Sequence, residues 1–260
     1  MNWPAMRAHP LARTLRTAYR TLAPDHATRG NTVYPAKHLR FGGPEFRNDD
    51  FFLESARFEA CRLADSCGLT QASIVLDVGC GVGRLPIGIL EQVGEIRHYQ
   101  GVDVDARSVH WCKEHIQNVH ADFQFQLLDV YNLRYNPAGA PLNCSFRLPF
   151  GDGGFDIVYL YSVFSHMTAH DIRIYLRECR RLLATKGRVF LTAFVEEGVP
   201  DEVENPLNYR MKWKAPLHCV RFNKSFFSRL VLEAGFEISV FNYAKETDGQ
   251  SGIYLAPTLS

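Results

Sequence analysis

The sequence predicts an α/β fold: a doubly wound, mostly parallel sheet covered by helices on both faces. Three observations predict it. From Ser73 onward, short apolar runs of strand character alternate with stretches whose apolar residues recur at helical spacing. A glycine-rich turn, Gly79-Cys80-Gly81-Val82-Gly83, falls between the first such strand and the helix after it. An acid, Asp103, closes the second strand twenty residues after Gly83.

Taken in order, Ile74-Val75-Leu76-Asp77-Val78 reads as a buried strand and residues 84–93 as a helix. Pro86 is tolerable there because it falls in the first turn, where its missing N–H costs nothing. Residues 99–104 form a second strand. Asp105 caps a helix with Val109, Cys112, Ile116 and Val119 on one stripe. Residues 123–128 and 155–161 are the third and fourth strands. Thr168 and Asp171 start a helix that turns Ile172, Leu176, Cys179 and Leu183 inward and ends at Lys186-Gly187. A fifth strand over 188–195, a helix over 225–234 stopped by Gly235, and strands near 236–243 and 252–256 complete the pattern. Upstream, residues 11–22 place Leu11, Leu15, Tyr19 and Leu22 on one helical face. Residues 30–48 read as an ordered loop, and a helix over about 50–67 is ended by Gly68. The expected organisation is an N-terminal helical lid over 1–70 and a main domain over 71–260, with an insertion near 196–222.

The 260 residues are 46% hydrophobic, enough for a sizeable core, and the formal net charge of +1 gives no bulk attraction to nucleic acid or an anionic membrane. The seven cysteines contain no C-x-x-C pair, which argues against a disulfide framework and a cysteine zinc site. The first residues are broken by Arg and Pro and do not read as a secretory signal, and no run approaches a membrane span. A cytoplasmic location is the expectation.

The turn carries the chemistry. Glycines let a ligand approach the backbone where a Cβ would clash, the helix beyond offers free N–H groups, and Asp103 can accept both hydroxyls of a ribose. The spacing is G-x-G-x-G, with Arg84 where the longer dinucleotide fingerprint wants Gly, which disfavours a nicotinamide or flavin dinucleotide. Leu76 to Arg84 resembles the first motif of class I S-adenosylmethionine-dependent methyltransferases. Gly101-Val102-Asp103 resembles their second and Leu128-Asp129-Val130 their third. Phe155 to Val158 with Ser162 to Met167 resembles the fourth, and Glu178 to Leu183 with Gly187-Arg188 the helix and strand that follow.

The resemblance implies a seven-stranded sheet whose last strand is antiparallel, with S-adenosylmethionine as cofactor. It implies cofactor contacts from Asp77, Gly79, Gly81, Gly83, Asp103, Val104, Asp129 and Val130, with the Asp129 carboxylate near the adenine amino group. Arg40-Phe41-Gly42-Gly43 is similar to a loop preceding the core in many bacterial members, and Tyr34 and Arg40 are expected at the cofactor's edge. Residues 131–150 depart from the family, where a short helix is usual.

His166 lies just past the fourth strand and is the candidate general base, with Glu196 in support; packing alone is the competing reading of His166. Tyr209, Trp213 and His218 are the candidate acceptor contacts, because aromatic platforms interleaved with carboxylates suit sugars. Surface solvation also explains those carboxylates. No metal is expected: His166 and His170 straddle a helix start, and His110, His115 and His120 scatter around a helix. The expected activity, nearest to bacterial small-molecule O-methyltransferases, is transfer to a small-molecule hydroxyl, a saccharide first and a phenolic or carboxylic compound second. A protein or nucleic-acid acceptor ranks lower: Tyr161-Ser162-Val163-Phe164 stands where amino-group DNA methylation needs N/D-P-P-Y/F, and no basic tail follows. The oligomeric state is open, a homodimer among the options.

Overall fold

The computed structural model describes residues 24–258 apart from 134, 211 and 214. The helical face expected over 11–22 lies outside the described residues. Two short strands, β1 (His26–Arg29) and β2 (Thr32–Pro35), form an antiparallel hairpin, and β2 falls within the stretch expected as loop. Their four-residue sequences, HATR and TVYP, are too short to show the alternation that announces a strand.

Helix α1 (Asp49–Cys67) starts at Asn48, whose Oδ1 accepts the Phe51 N–H, and stops at Gly68 in the left-handed region. Strand β3 (Ile74–Val78) leads into α2 (Arg84–Gln92), and β4 (His98–Asp103) into α3 (Ala106–Cys112). A π-helical turn, Lys113–Gln117, continues α3. Then come β5 (Phe123–Leu127), β6 (Phe155–Leu160), α4 (Ala169–Leu182) and β7 (Leu183–Glu196). Helix α4 thus ends before Lys186-Gly187, and β7 takes up those residues. Strands β8 (Glu202–Glu204) and β9 (Val220–Asn223), helix α5 (Lys224–Glu233), and strands β10 (Phe236–Asn242) and β11 (Ser251–Pro257) finish the chain.

The main sheet runs β10-β11-β7-β6-β3-β4-β5. Its pairs from β7 to β5 are parallel, and β11 is antiparallel to both neighbours, so the last strand is the reversed one. At the far end of β7, β9 adds in parallel and β8 pairs with β9, so the insertion is partly sheet rather than all loop. Its two ends meet, with Glu196 opposite Asn223.

Alternation along the strands feeds two cores. Leu76, Val158 and Leu191 join α4 and α5 on one face, whereas Val75, Ile157 and Phe190 join α1, α2 and α3 on the other. Helix α1, expected in the lid, therefore shares the core of the sheet. A Cβ on Gly88 would lie 1.9 Å from the Ala56 carbonyl oxygen, which shows how closely α1 and α2 approach. No described helix is long and apolar enough to cross a membrane. Chain direction across the sheet reverses between β3 and β6, and a crevice opens there at the strands' C-terminal ends, where doubly wound folds bind ligands.

Candidate functional site

That crevice is a cavity of about 900 Å³, lined on one side by Asp77, Gly79, Gly81, Asp103, Val104 and Val130. The volume sits at the upper end of pockets that hold small molecules. The three glycines answer different demands. All have positive φ, at 79°, 51° and 78°. A Cβ on Gly79 would fall 2.6 Å from Val163 Cγ2, and one on Gly83 2.7 Å from Ile116 Cδ1; Gly81 faces open space. Gly79 and Gly81 line the cavity, while Gly83 sits behind them and opens α2.

Asp103 is the hub. Its Oδ2 accepts the Gly81 N–H at 2.7 Å and its Oδ1 the Asp105 N–H at 2.8 Å. Burial pushes its carboxyl above the usual range, and those backbone bonds oppose the rise. A carboxylate offers about four lone-pair sites, so capacity remains for a diol. Asp105 caps α3 through the Ser108 N–H, as its position suggested.

Asp77 is buried beneath the turn. Burial pushes it up to about 7; the Tyr99 hydroxyl, which donates to it, acts in the opposite sense, and Asp103 adds to the rise. The folded protein therefore holds a proton that the unfolded chain, with an ordinary carboxyl near 3.8, has lost. Stability of the cofactor-free protein should fall as pH rises from about 4 to 7 and level off above. Asp77→Asn is expected to remove this slope, up to about 4 kcal/mol. Urea unfolding at pH 5 and pH 8 checks it, and an unchanged slope in the variant would assign the titration elsewhere.

Several expected contacts stand elsewhere. Tyr34 and Arg40 are buried behind the cavity rather than at its edge. Arg40 donates to the Pro35 and Phe46 carbonyls, pairs with Asp49 at 2.7 Å and lies over the Tyr34 ring. It pins the hairpin to α1, and the following loop, Phe41 to Pro44, is what reaches the cavity. Asp129 is exposed, accepts from Asn136 at 3.4 Å and does not line the cavity.

On the opposite side, His166 lines the cavity from a short helical turn, Phe164–His166. Its Nδ1 lies 3.0 Å from the Leu217 carbonyl oxygen. A carbonyl only accepts, so Nδ1 carries the proton and the neutral ring's lone pair is on Nε2. Glu196 does not support it. Its carboxylate meets Arg210 at 3.2 Å, Arg221 at 3.5 Å and the Tyr243 hydroxyl at 3.1 Å, away from the cavity. Tyr209 is buried behind the wall, against Phe194 and under Arg210 and Arg221, and burial pushes its phenol up to about 12. Trp213 and His218 do line the cavity, edge to face with centroids 5.3 Å apart.

Sequence reasoning missed other wall residues. Tyr131, Leu133, Tyr135 and Leu142 come from the segment that departs from the family pattern. Gln250, just before β11, accepts from Thr192 at 2.7 Å and donates to Ser162 at 2.9 Å, holding the chain just past β6, where Ser162 has φ of 58°. Nothing local in the sequence marks Gln250.

Fold and site together make an α/β protein with a large cavity at the C-terminal edge of its sheet, walled by the glycine turn and Asp103 on one side and by His166 and aromatic rings on the other. Residues 76–191 match the family described as Methyltransferase domain. Among curated proteins, an uncharacterised protein of Methanocaldococcus jannaschii is 33% identical over 58 residues, 22% of this chain and 26% of that one, so the match spans about a quarter of the relative's length. Similar solved structures include the [4+2]-cyclase SpnF, at 14% identity and TM-score 0.57, over 80% of this chain and 83% of that one. The Burkholderia thailandensis 1,6-didemethyltoxoflavin-N1-methyltransferase with S-adenosylhomocysteine bound matches at 17% identity and TM-score 0.54, over 100% and 94%. A methyltransferase from Methanosarcina mazei matches at 15% and 0.52, over 74% and 95%. At these identities the likeness establishes the fold. The methyltransferase-family match over residues 76–191 supports an enzyme with S-adenosylmethionine as its cofactor. The cavity suits that cofactor: an open approach at Gly81, a carboxylate at the end of β4, and Val104 and Val130 as apolar neighbours.

Proposed function

We propose that the protein is an O-methyltransferase for a small molecule whose hydroxyl sits on an aromatic or otherwise apolar body. The observation that carries this reading is the chamber around His166, walled by Tyr131, Tyr135, Met167, Phe194 and Trp213. Bound S-adenosylmethionine supplies an already activated methyl group. The protein's own work is to align the acceptor and to take its proton at His166 Nε2, while the Leu217 carbonyl holds the ring through Nδ1.

The saccharide expectation rested on carboxylates beside aromatic rings, and most of those carboxylates are engaged elsewhere. Glu197 pairs with Lys224, Asp201 with Arg229, and Glu202 accepts the Ala169 N–H. Of the acids in that stretch, Glu204 is the one lining the cavity, and it accepts the Leu217 N–H. The balance passes to a phenolic acceptor. The test offers purified protein and labelled cofactor to phenols, saccharides, fatty acids and amines, and measures S-adenosylhomocysteine release. Transfer to phenols is the expected outcome. Transfer confined to saccharides, acids or amines would overturn the reading, as would cofactor binding without transfer to any class.

A further inference from the structure

Outside the residues that line the cavity, three side chains converge on one point. Asp25 precedes β1, His26 is its first residue, and His115 lies in the π-helical turn after α3. Asp25 Oδ1 is 3.0 Å from His26 Nδ1, and Asp25 Oδ2 is 3.1 Å from His115 Nε2. One donor atom from each residue lies within 4.8 Å of the other two. We propose that Asp25, His26 and His115 form a site for a divalent transition-metal ion, zinc above all, which staples the N-terminal hairpin to the helix beside the cofactor cavity.

Donor chemistry selects the ion. Two imidazole nitrogens with one carboxylate oxygen suit zinc and its first-row neighbours, whereas magnesium and calcium want oxygen donors throughout. The spacing fits as well. Zinc–ligand bonds of about 2.0–2.2 Å in a tetrahedron put donors about 3.3 Å apart. The two oxygens of Asp25 stand 3.0 and 3.1 Å from the two imidazole nitrogens, and one donor atom from each residue falls within 4.8 Å of the others, so modest closure brings the set to that spacing.

The surroundings hold the ligands ready. The Trp111 indole N–H donates to the Asp25 carbonyl oxygen at 2.9 Å, and the Trp111 ring lies 4.8 Å from that of His115, tilted by 34°. The Ala36 N–H donates to the same carbonyl oxygen, closing the hairpin base. Such outer contacts fix the orientation of ligating side chains. The π-helical turn is the decisive local feature. It alters the rotation of the helix at His115, and single π turns recur at functional sites. Asp25 and His26 are each a little under half exposed and His115 is 15% exposed, so solvent can reach the site and water can complete the coordination.

The experiment uses the untagged full chain after chelator treatment. Equilibrium dialysis against zinc chloride should give one saturable equivalent per chain and a raised melting temperature. Cobalt(II) should give the intense visible absorption of a four-coordinate site. His26→Ala, Asp25→Asn and His115→Ala should each weaken zinc binding by about tenfold or more. His110→Ala and His120→Ala, which alter neighbouring histidines paired with Glu114 and Glu95, should bind as wild type. The exposed His26 keeps the test clear of folding defects. Zinc binding that fails to saturate at one equivalent, or that survives His26→Ala and Asp25→Asn unchanged, would overturn the proposal.

Discussion

Turnover of a His166→Ala variant is expected to fall by about 10²–10⁴-fold at saturating acceptor, with cofactor affinity nearly unchanged. The reason is the direction of its ring. Leu217 fixes the proton on Nδ1, so the basic nitrogen is the other one. A protonated hydroxyl is a weak nucleophile, and removing its proton as the oxygen attacks is the step His166 would serve. His166→Asn separates base from scaffold, because its amide can still donate to the Leu217 carbonyl but cannot accept the proton. It should be as slow as the alanine variant. Acidic phenols, already largely ionised, should lose far less rate in either variant than weakly acidic ones. A loss independent of phenol acidity would reduce His166 to packing.

The second large effect concerns the cofactor. Asp103→Ala is expected to weaken S-adenosylhomocysteine binding by about 1.5–3 kcal/mol, roughly tenfold to 150-fold, as for hydrogen bonds to a charged group. Two causes add. The carboxylate would accept ribose hydroxyls, and it already holds the Gly81 and Asp105 N–H groups that shape the turn. Asp103→Asn keeps one acceptor oxygen and should fall between wild type and alanine. Calorimetry reads both variants, and unchanged affinity in Asp103→Ala would sink the assignment.

What the sequence disclosed and what it hid divide along physical lines. The order of strands and helices was legible because each is a local matter of apolar period and end signals. Asn48, Thr168 and Asp105 cap their helices by bonds spanning three residues. The glycine turn was legible because backbone conformation constrains residue type. Side-chain destinations were not. Glu196 lies next to the chamber in sequence, yet its partners Arg210, Arg221 and Tyr243 arrive from 14 to 47 residues away. Arg40 looked like an edge residue and became the bolt between hairpin and helix. His115 was set aside because a regular helix scatters His110, His115 and His120; the π-helical turn and the hairpin opposite it are tertiary facts. Strands as short and polar as β1 and β8 exist through their partners rather than through their own composition.

The meeting of Glu196 with Asn223 has a consequence for how such an enzyme can diversify. Everything between them leaves and re-enters the sheet at neighbouring positions, so the span can lengthen or shorten while the cofactor half stays as it is. Loop-closure entropy makes this cheap, about 0.6 kcal/mol for each doubling of length. A lineage could thus exchange one acceptor wall for another as a cassette. One condition travels with it: the Leu217 carbonyl that orients His166 lies inside the exchangeable span. Any replacement would have to bring its own acceptor for that imidazole N–H, so new substrates would be open only to cassettes that also carry this anchor.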